Sequence, residues 1–118
     1  MPVNNVAVIG GGSFGTIIAN IIAMNGHYTQ LWMRDAEQVE SLNNTRQNQQ
    51  YLPGLEINEK VEASHDLQAV VAKADMIFVA VPSGSFRSVV RQMKPNLKPR
   101  VIMISATKGI EAITFKLM

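Results

Sequence analysis

The chain lacks cysteine altogether. That excludes a disulfide framework and a thiolate metal site, and it fits a reducing compartment such as the cytoplasm. An excess of one charge is also lacking. Eleven lysines and arginines face nine acidic residues, and a net charge of +2 is too small to select nucleic acid as a partner. Lys94, Lys98 and Arg100 cluster loosely and read as a solvated face near a helix end. No apolar run reaches the length of a membrane span, and Met1-Pro2-Val3-Asn4-Asn5 lacks the basic region of a signal peptide. No carboxylate pair and no metal-ligand constellation is visible. What the 118 residues do hold, at 47% hydrophobic, is enough apolar substance for one domain with its own core.

The most informative stretch is Val6-Ala7-Val8-Ile9-Gly10-Gly11-Gly12-Ser13-Phe14-Gly15. The apolar run reads as a buried parallel strand, and the segment after the glycines reads as a helix packed against it. Gly10, Gly12 and Gly15 make a G-x-G-x-x-G spacing between the two. Gly10 permits the tight turn, Gly12 lets a pyrophosphate approach the backbone, and Gly15 lets helix and strand pack closely. The helix opens near Ser13 and Phe14, where unpaired N–H groups and the positive end of the dipole favour an anion. The stretch does not continue into the G-K-[ST] of a P-loop, so nucleoside triphosphate hydrolysis is disfavoured. Ser13 has no oriented base beside it and is not a nucleophile candidate.

The rest of the chain repeats strand and helix. The first helix is expected from Ser13 to Asn25, stopped by Asn25-Gly26, and the second strand over Tyr28–Met33. A short polar helix follows over Ala36–Asn44. An amide-rich stretch, Asn43 to Gln50, leads into a turn at Pro53-Gly54 anchored by Tyr51, Leu52 and Leu55. A short strand is expected over Ile57–Ala63, then a helix over Leu67–Lys73 capped by Asp66. Ala74–Ser83 reads as the clearest strand after the first, stopping where Pro82 cannot continue the ladder. A helix over Ser85–Met93, a turn over Pro95–Pro99 and a strand over Val101–Ser105 complete the regular pattern. Ile110–Met118 reads as the first turns of a further helix with no stop signal, so the chain reads as a fragment. The fold expected is α/β, a Rossmann-type doubly wound parallel sheet.

Ligands in such a sheet bind beyond the carboxyl ends of the strands, at the point where strand order reverses. That rule gathers Gly10 to Phe14, Arg34, Val81-Pro82-Ser83 and Thr107-Lys108-Gly109 on one rim. Asp35 comes about twenty residues after Gly15, where a dinucleotide fold places the group that meets the adenosine ribose. Arg34 beside it suits a 2′-phosphate and tilts the cofactor towards NADP over NAD, while Asp35 more simply caps the next helix. Lys108 approaches from the far side of the glycine loop, where a cation can hold anionic oxygens. His27 and His65 read as exposed loop histidines.

Several segments together resemble one family. Gly10-Gly11-Gly12-Ser13-Phe14-Gly15-Thr16, Leu31-Trp32-Met33-Arg34-Asp35, Asn48 with Tyr51-Leu52-Pro53, Val79-Ala80-Val81-Pro82-Ser83, and Ala106-Thr107-Lys108-Gly109-Ile110-Glu111 are similar to bacterial NAD(P)-dependent glycerol-3-phosphate dehydrogenase. The resemblance runs along the whole chain and makes 1–118 an N-terminal dinucleotide-binding domain. It implies reduction of dihydroxyacetone phosphate to sn-glycerol 3-phosphate for phospholipid synthesis in the cytoplasm. Ser13 and Phe14 would contact the cofactor at the loop, Arg34 its adenosine end, Tyr51 would lie near it, and Lys108 would touch cofactor and substrate phosphoester. Alanine is common in the family at the position of Gly11, a mild difference with no mechanistic cost. The family's general acid/base lysine belongs to a second, mainly helical domain absent from this chain. The fragment is therefore expected to bind dinucleotide, not to turn over, and to self-associate through apolar surface that the missing part would cover. Two other readings stay open: a two-domain dehydrogenase acting on hydroxy acids, and a non-catalytic nucleotide-sensing module that needs the loop and Arg34 without Lys108.

Overall fold

Val6, Val8 and Ile9 are β-branched, and with Ala7 they form a segment suited to an extended strand buried on both faces. The computed structural model describes residues 4–48, 52, 54–106 and the backbone of 111–112, and there this segment is β1 (Asn5–Ile9). It is followed by α1 (Ser13–Met24), β2 (Tyr28–Trp32), α2 (Ala36–Thr45), β3 (Val61–Ser64), α3 (Leu67–Lys73), β4 (Met76–Val79) and α4 (Ser83–Met93). A 3₁₀ turn at Lys94–Asn96 leads to β5 (Ile102–Ser105) and β6 (Glu111–Ala112). The sheet order is β3-β2-β1-β4-β5-β6, with the first five strands of the chain parallel. Strand order reverses between β1 and β4, so the expected doubly wound α/β arrangement is the one observed.

Alternation along β1 feeds two cores. Ala7 and Ile9 join Ile77 and Val79 of β4 against Val70 and Val71 of α3 and Val89 and Met93 of α4. Val8 joins Leu31 of β2 on the other face, against Ile18, Ala19 and Ala23 of α1 and Val39 and Leu42 of α2. Leu31 and Ile77 are fully buried, and burial of one such side chain contributes about 1.5–3 kcal/mol. Helices on both faces clamp the carboxyl ends of the central strands, which is where the site lies.

The punctuation residues act as their chemistry requires. Asn25 caps α1 and Gly26 follows with φ +96°. Asp35 accepts the Glu37 N–H at 2.9 Å and Asp66 the Ala69 N–H at 3.1 Å, each at the start of its helix. Asn43 uses both ends of its amide on the outer edge of β3, donating to the Ala63 carbonyl at 3.0 Å and accepting its N–H at 2.9 Å. That side chain does the work of a further strand and blunts an open edge.

Five expectations need correction. The strand expected over Ala74–Ser83 is only Met76–Val79, because its partner β1 ends at Ile9, whose carbonyl accepts the Ala80 N–H at 2.8 Å. Only Val61–Ser64 of the third strand pairs, because the Arg46 guanidinium takes the carbonyls of Asn58 and Val61 while the Asn58 side chain accepts the Lys60 N–H. These bonds turn the chain just before the ladder begins. The fourth helix starts at Ser83, because Pro82 with φ −55° is already set to lead into a helix. Within the expected helix over Ile110–Met118, Glu111 and Ala112 form a strand antiparallel to β5, pairing with Ser105 and Ile104. The edge of β5 offers unpaired backbone groups there, and Ile110 and Met118 lie outside the described residues. Lys98 is not simply part of a solvated face, since its Nζ lies 2.9 Å from the Asp75 carboxylate.

Candidate functional site

The site begins where β1 must turn into α1. Gly10 has φ +120°, and a Cβ there would stand 2.7 Å from the Ala80 carbonyl oxygen. A side chain at Gly15 would collide with the Gly10 carbonyl, so helix and strand approach as closely as two backbones can. Gly12 is different in kind. A Cβ there would meet nothing within 4 Å, because that side of the loop is open. Gly10 donates to the Trp32 carbonyl at 2.9 Å and Ala80 to the Ile9 carbonyl at 2.8 Å, which fixes the turn between the ends of β2 and β4.

These glycines form the floor of a cleft of about 620 Å³. Gly10 to Gly15 line one side, Trp32 to Asp35 and Gln38 a second, and Ala80, Val81, Pro82 and Ser85 the third. The structure thus brings Gly10, Gly12, Ser13, Phe14, Gly15, Arg34 and Pro82 together around one opening. Phe14 is 44% exposed at its mouth. The first N–H groups of α1 have no intrahelical partner and belong to residues that line the cleft, with no side-chain cap and no acidic residue in the first turn to compete for an anion. Arg34 is exposed at the carboxyl end of β2, its guanidinium 5.9 Å from the centre of the Trp32 ring. That cation–π contact steadies a side chain otherwise free to sweep through solvent. Asp35 borders the same cleft, but one carboxylate oxygen is committed to capping α2.

The open side of Gly12, the unpaired N–H groups of α1 and the cationic rim at Arg34 suit a dinucleotide: pyrophosphate over the glycines and adenosine towards Arg34. Tyr51 and Lys108, with Thr107 and Gly109, lie outside the described residues. Both histidines are exposed, and His65 contributes only its carbonyl, which accepts the Trp32 indole N–H at 3.0 Å. Among the described residues no group of three or more histidine, cysteine, aspartate or glutamate side chains could hold a metal ion. No described helix is long and apolar enough to cross a membrane.

Among the described residues, Asp75 and Tyr28 have shifted titration, and both lie away from the cleft. Lys98 and the N–H groups of Asn5 and Asn4 hold the Asp75 carboxyl below its ordinary range, while partial burial and the neighbouring Glu62 raise the Tyr28 phenol. The cleft instead gains its polarity from backbone amides and Arg34.

Two residues that support the loop carry no such role in the sequence, where Asn48 and Met33 count only towards the family resemblance and the second strand. Asn48 sits in the amide-rich stretch and is only 3% exposed. Its Nδ2 donates to the Gly11 carbonyl and to the Thr16 hydroxyl, both at 2.8 Å. Met33 lies beneath Gly11, where a Cβ would come within 2.5 Å of its Cγ. The alanine substitution that looked free of consequence therefore depends on Met33 giving way. Nothing in the composition of the stretch separates Asn48 from Asn43, Asn44 or Gln47; its proximity to Thr16 and Gly11 appears only in the fold.

Residues 5–118 match the family model described as NAD-dependent glycerol-3-phosphate dehydrogenase N-terminus. Glycerol-3-phosphate dehydrogenase [NAD(P)+] of Teredinibacter turnerae is 53% identical over 113 residues, which are 96% of this chain and 33% of that protein. Its counterpart in Saccharophagus degradans is 49% identical over 96% of this chain and 32% of that protein. Among solved structures, glycerol-3-phosphate dehydrogenase from Coxiella burnetii superposes with a TM-score of 0.82 at 29% identity, covering 86% of this chain and 31% of that one. The Saccharomyces cerevisiae enzyme gives 0.81 at 27% identity, over 92% and 36%. The chain spans about a third of the length of the curated relatives it matches.

Proposed function

The chain belongs to the family of NAD-dependent glycerol-3-phosphate dehydrogenase N-terminal domains, and from that premise we propose that it is the cofactor half of an enzyme reducing dihydroxyacetone phosphate to sn-glycerol 3-phosphate. The observation that carries the proposal is the glycine turn between β1 and α1, open at Gly12 and bordered by Arg34. When bound, NAD(P)H supplies the hydride. The chain's own residues bind and orient. Backbone N–H groups at the start of α1 hold pyrophosphate, Phe14 shields the mouth, and Arg34 pairs with a 2′-phosphate, favouring NADPH. Ala80, Val81, Pro82 and Ser85 form the wall facing the loop, and Ser83, expected on the rim, is not part of it. Tyr51 would lie near the cofactor, and Lys108 would hold both cofactor and substrate phosphoester. A general acid/base lysine in a second, mainly helical domain would donate the proton to the developing alkoxide.

On this reading the protein works in the cytoplasm on a small phosphorylated substrate, in phospholipid synthesis. The isolated chain binds cofactor without turning over, and its exposed apolar side chains lead it to self-associate. The test is a fluorescence titration of the chain with NADPH, followed by addition of dihydroxyacetone phosphate. Saturable binding with no oxidation of the cofactor supports the proposal. Turnover by the chain alone overturns the division of labour, and absence of binding overturns the cofactor role.

A further inference from the structure

Three consecutive glycines are a poor way to hold a fixed donor array, because each has more conformational freedom to lose than any other residue. The peptide between Gly11 and Gly12 is the weak point, with no Cβ on either side to resist its rotation. The structure shows what holds it. The Gly11 carbonyl accepts from Asn48 Nδ2 at 2.8 Å and from the Thr16 hydroxyl at 3.3 Å. The second proton of the same amide goes to Thr16 Oγ1, also at 2.8 Å. Thr16 is fully buried and Asn48 nearly so, so these bonds are sheltered from water. The described residues contain no cis peptide bond. In a trans peptide the carbonyl and the following N–H point in opposite directions. Drawing the Gly11 oxygen towards Asn48 and Thr16 therefore turns the Gly12 N–H away from them, and Gly12 itself borders the cleft.

Resting on the dinucleotide reading above, we infer that Asn48 is a positioning residue: it locks the Gly11–Gly12 peptide so that the Gly12 N–H faces the cofactor pyrophosphate. Asn48 itself reaches the loop from the segment just after α2 and acts on the cofactor site without touching the ligand. Its backbone carbonyl accepts the Leu52 N–H at 2.8 Å, which ties the segment to its own turn.

The experiment compares the chain with its Asn48→Ala variant, using ADP-ribose as a probe that carries the pyrophosphate without the nicotinamide. Calorimetry should show affinity for ADP-ribose falling on the order of tenfold, the loss expected when a buried hydrogen bond that orients a donor is removed. Amide NMR supplies the readout that loosened packing would not give. At saturating ADP-ribose the Gly12 resonance should move in the parent and stay near its free position in the variant, while those of Ser13 and Phe14 still move. Parent-like affinity in the variant overturns the inference, as does an equal loss of response at Gly12, Ser13 and Phe14. If Asn48→Ala does not fold, the parent decides alone: a Gly12 amide that responds to ADP-ribose upholds the inference, and one that does not overturns it. A parent that binds neither NADPH nor ADP-ribose sinks the dinucleotide reading and this inference together, whereas a parent that binds beside an equally competent variant sinks this inference only.

Discussion

A Cβ on Gly15 would fall on the carbonyl oxygen of Gly10. The contact is backbone on both sides and cannot be relieved by a rotamer change, so α1 would have to move off β1. Gly15→Ala should cost about 3 kcal/mol, towards the upper end for overpacking, and lower the melting temperature accordingly. Gly12→Ala is the control. Its methyl meets nothing within 4 Å, and stability should change by no more than about 0.5 kcal/mol. Affinity for NADPH should nevertheless fall, since the methyl occupies the space a pyrophosphate needs. Thermal melts and titrations of both variants check the contrast, and a Gly12→Ala variant that binds as well as the parent would count against the loop.

Gly11 and Met33 should behave as a coupled pair. Gly11→Ala alone forces the buried Met33 side chain to shift and should cost roughly 1 kcal/mol. In a Met33→Ala background the same substitution should cost markedly less, because Cγ and Cε, at 2.5 and 2.9 Å, are gone and only Cβ at 3.2 Å remains. A double-mutant cycle by chemical denaturation measures the coupling; additive effects would mean that Met33 does not constrain the loop.

The fold was largely legible because its signals are local and independent. A β-branched run, a glycine turn, a small-residue helix face and the stop at Asn25-Gly26 each point to β1-α1-β2 without knowledge of the partner strand. Asp35 and Asp66 were legible as caps for the same reason. Arg46, Asn43 and Asn48 were not. Each makes its key bonds to residues more than ten positions away, at Asn58 and Val61, at Ala63, and at Gly11 and Thr16. A polar residue in an amide-rich loop gives no sign of which distant carbonyl it will meet. The cleft lining at Gly10 to Phe14, Arg34, Val81 and Pro82 could be read because strand ends and glycine spacing define it; the contact of Asn48 behind it could not.

The ion pair between Lys98 and Asp75 ties the start of β1 to β4 and the turn before β5. Lys98 is the chief cause of the depressed Asp75 titration. A carboxyl whose folded value lies below its unfolded value stabilises the fold above the unfolded value, and that contribution disappears as pH falls through the folded one. Lys98→Met should therefore leave the chain more easily unfolded by acid, with the acid transition moved to higher pH. Circular dichroism between about pH 2 and 6 follows it, and an unmoved transition would show that the pair contributes nothing.

Ile17, Ile21 and Met24 stand exposed along α1, a helix without a charged residue. Water gains by removing such a stripe from contact, and self-association is the simplest route for the isolated chain. Light scattering should show mass rising with concentration, and Ile21→Glu should reduce the rise. A strictly monomeric parent at high concentration would contradict this.

The account stands most directly on which dinucleotide the loop and Arg34 accept together. Parallel calorimetric titrations with NADPH and NADH, on the parent and on Arg34→Ala, measure it. The account predicts that the parent binds NADPH on the order of tenfold more tightly than NADH and that the difference vanishes in Arg34→Ala while NADH binding persists. A folded parent that binds neither, or a preference for NADPH that survives loss of Arg34, would contradict it.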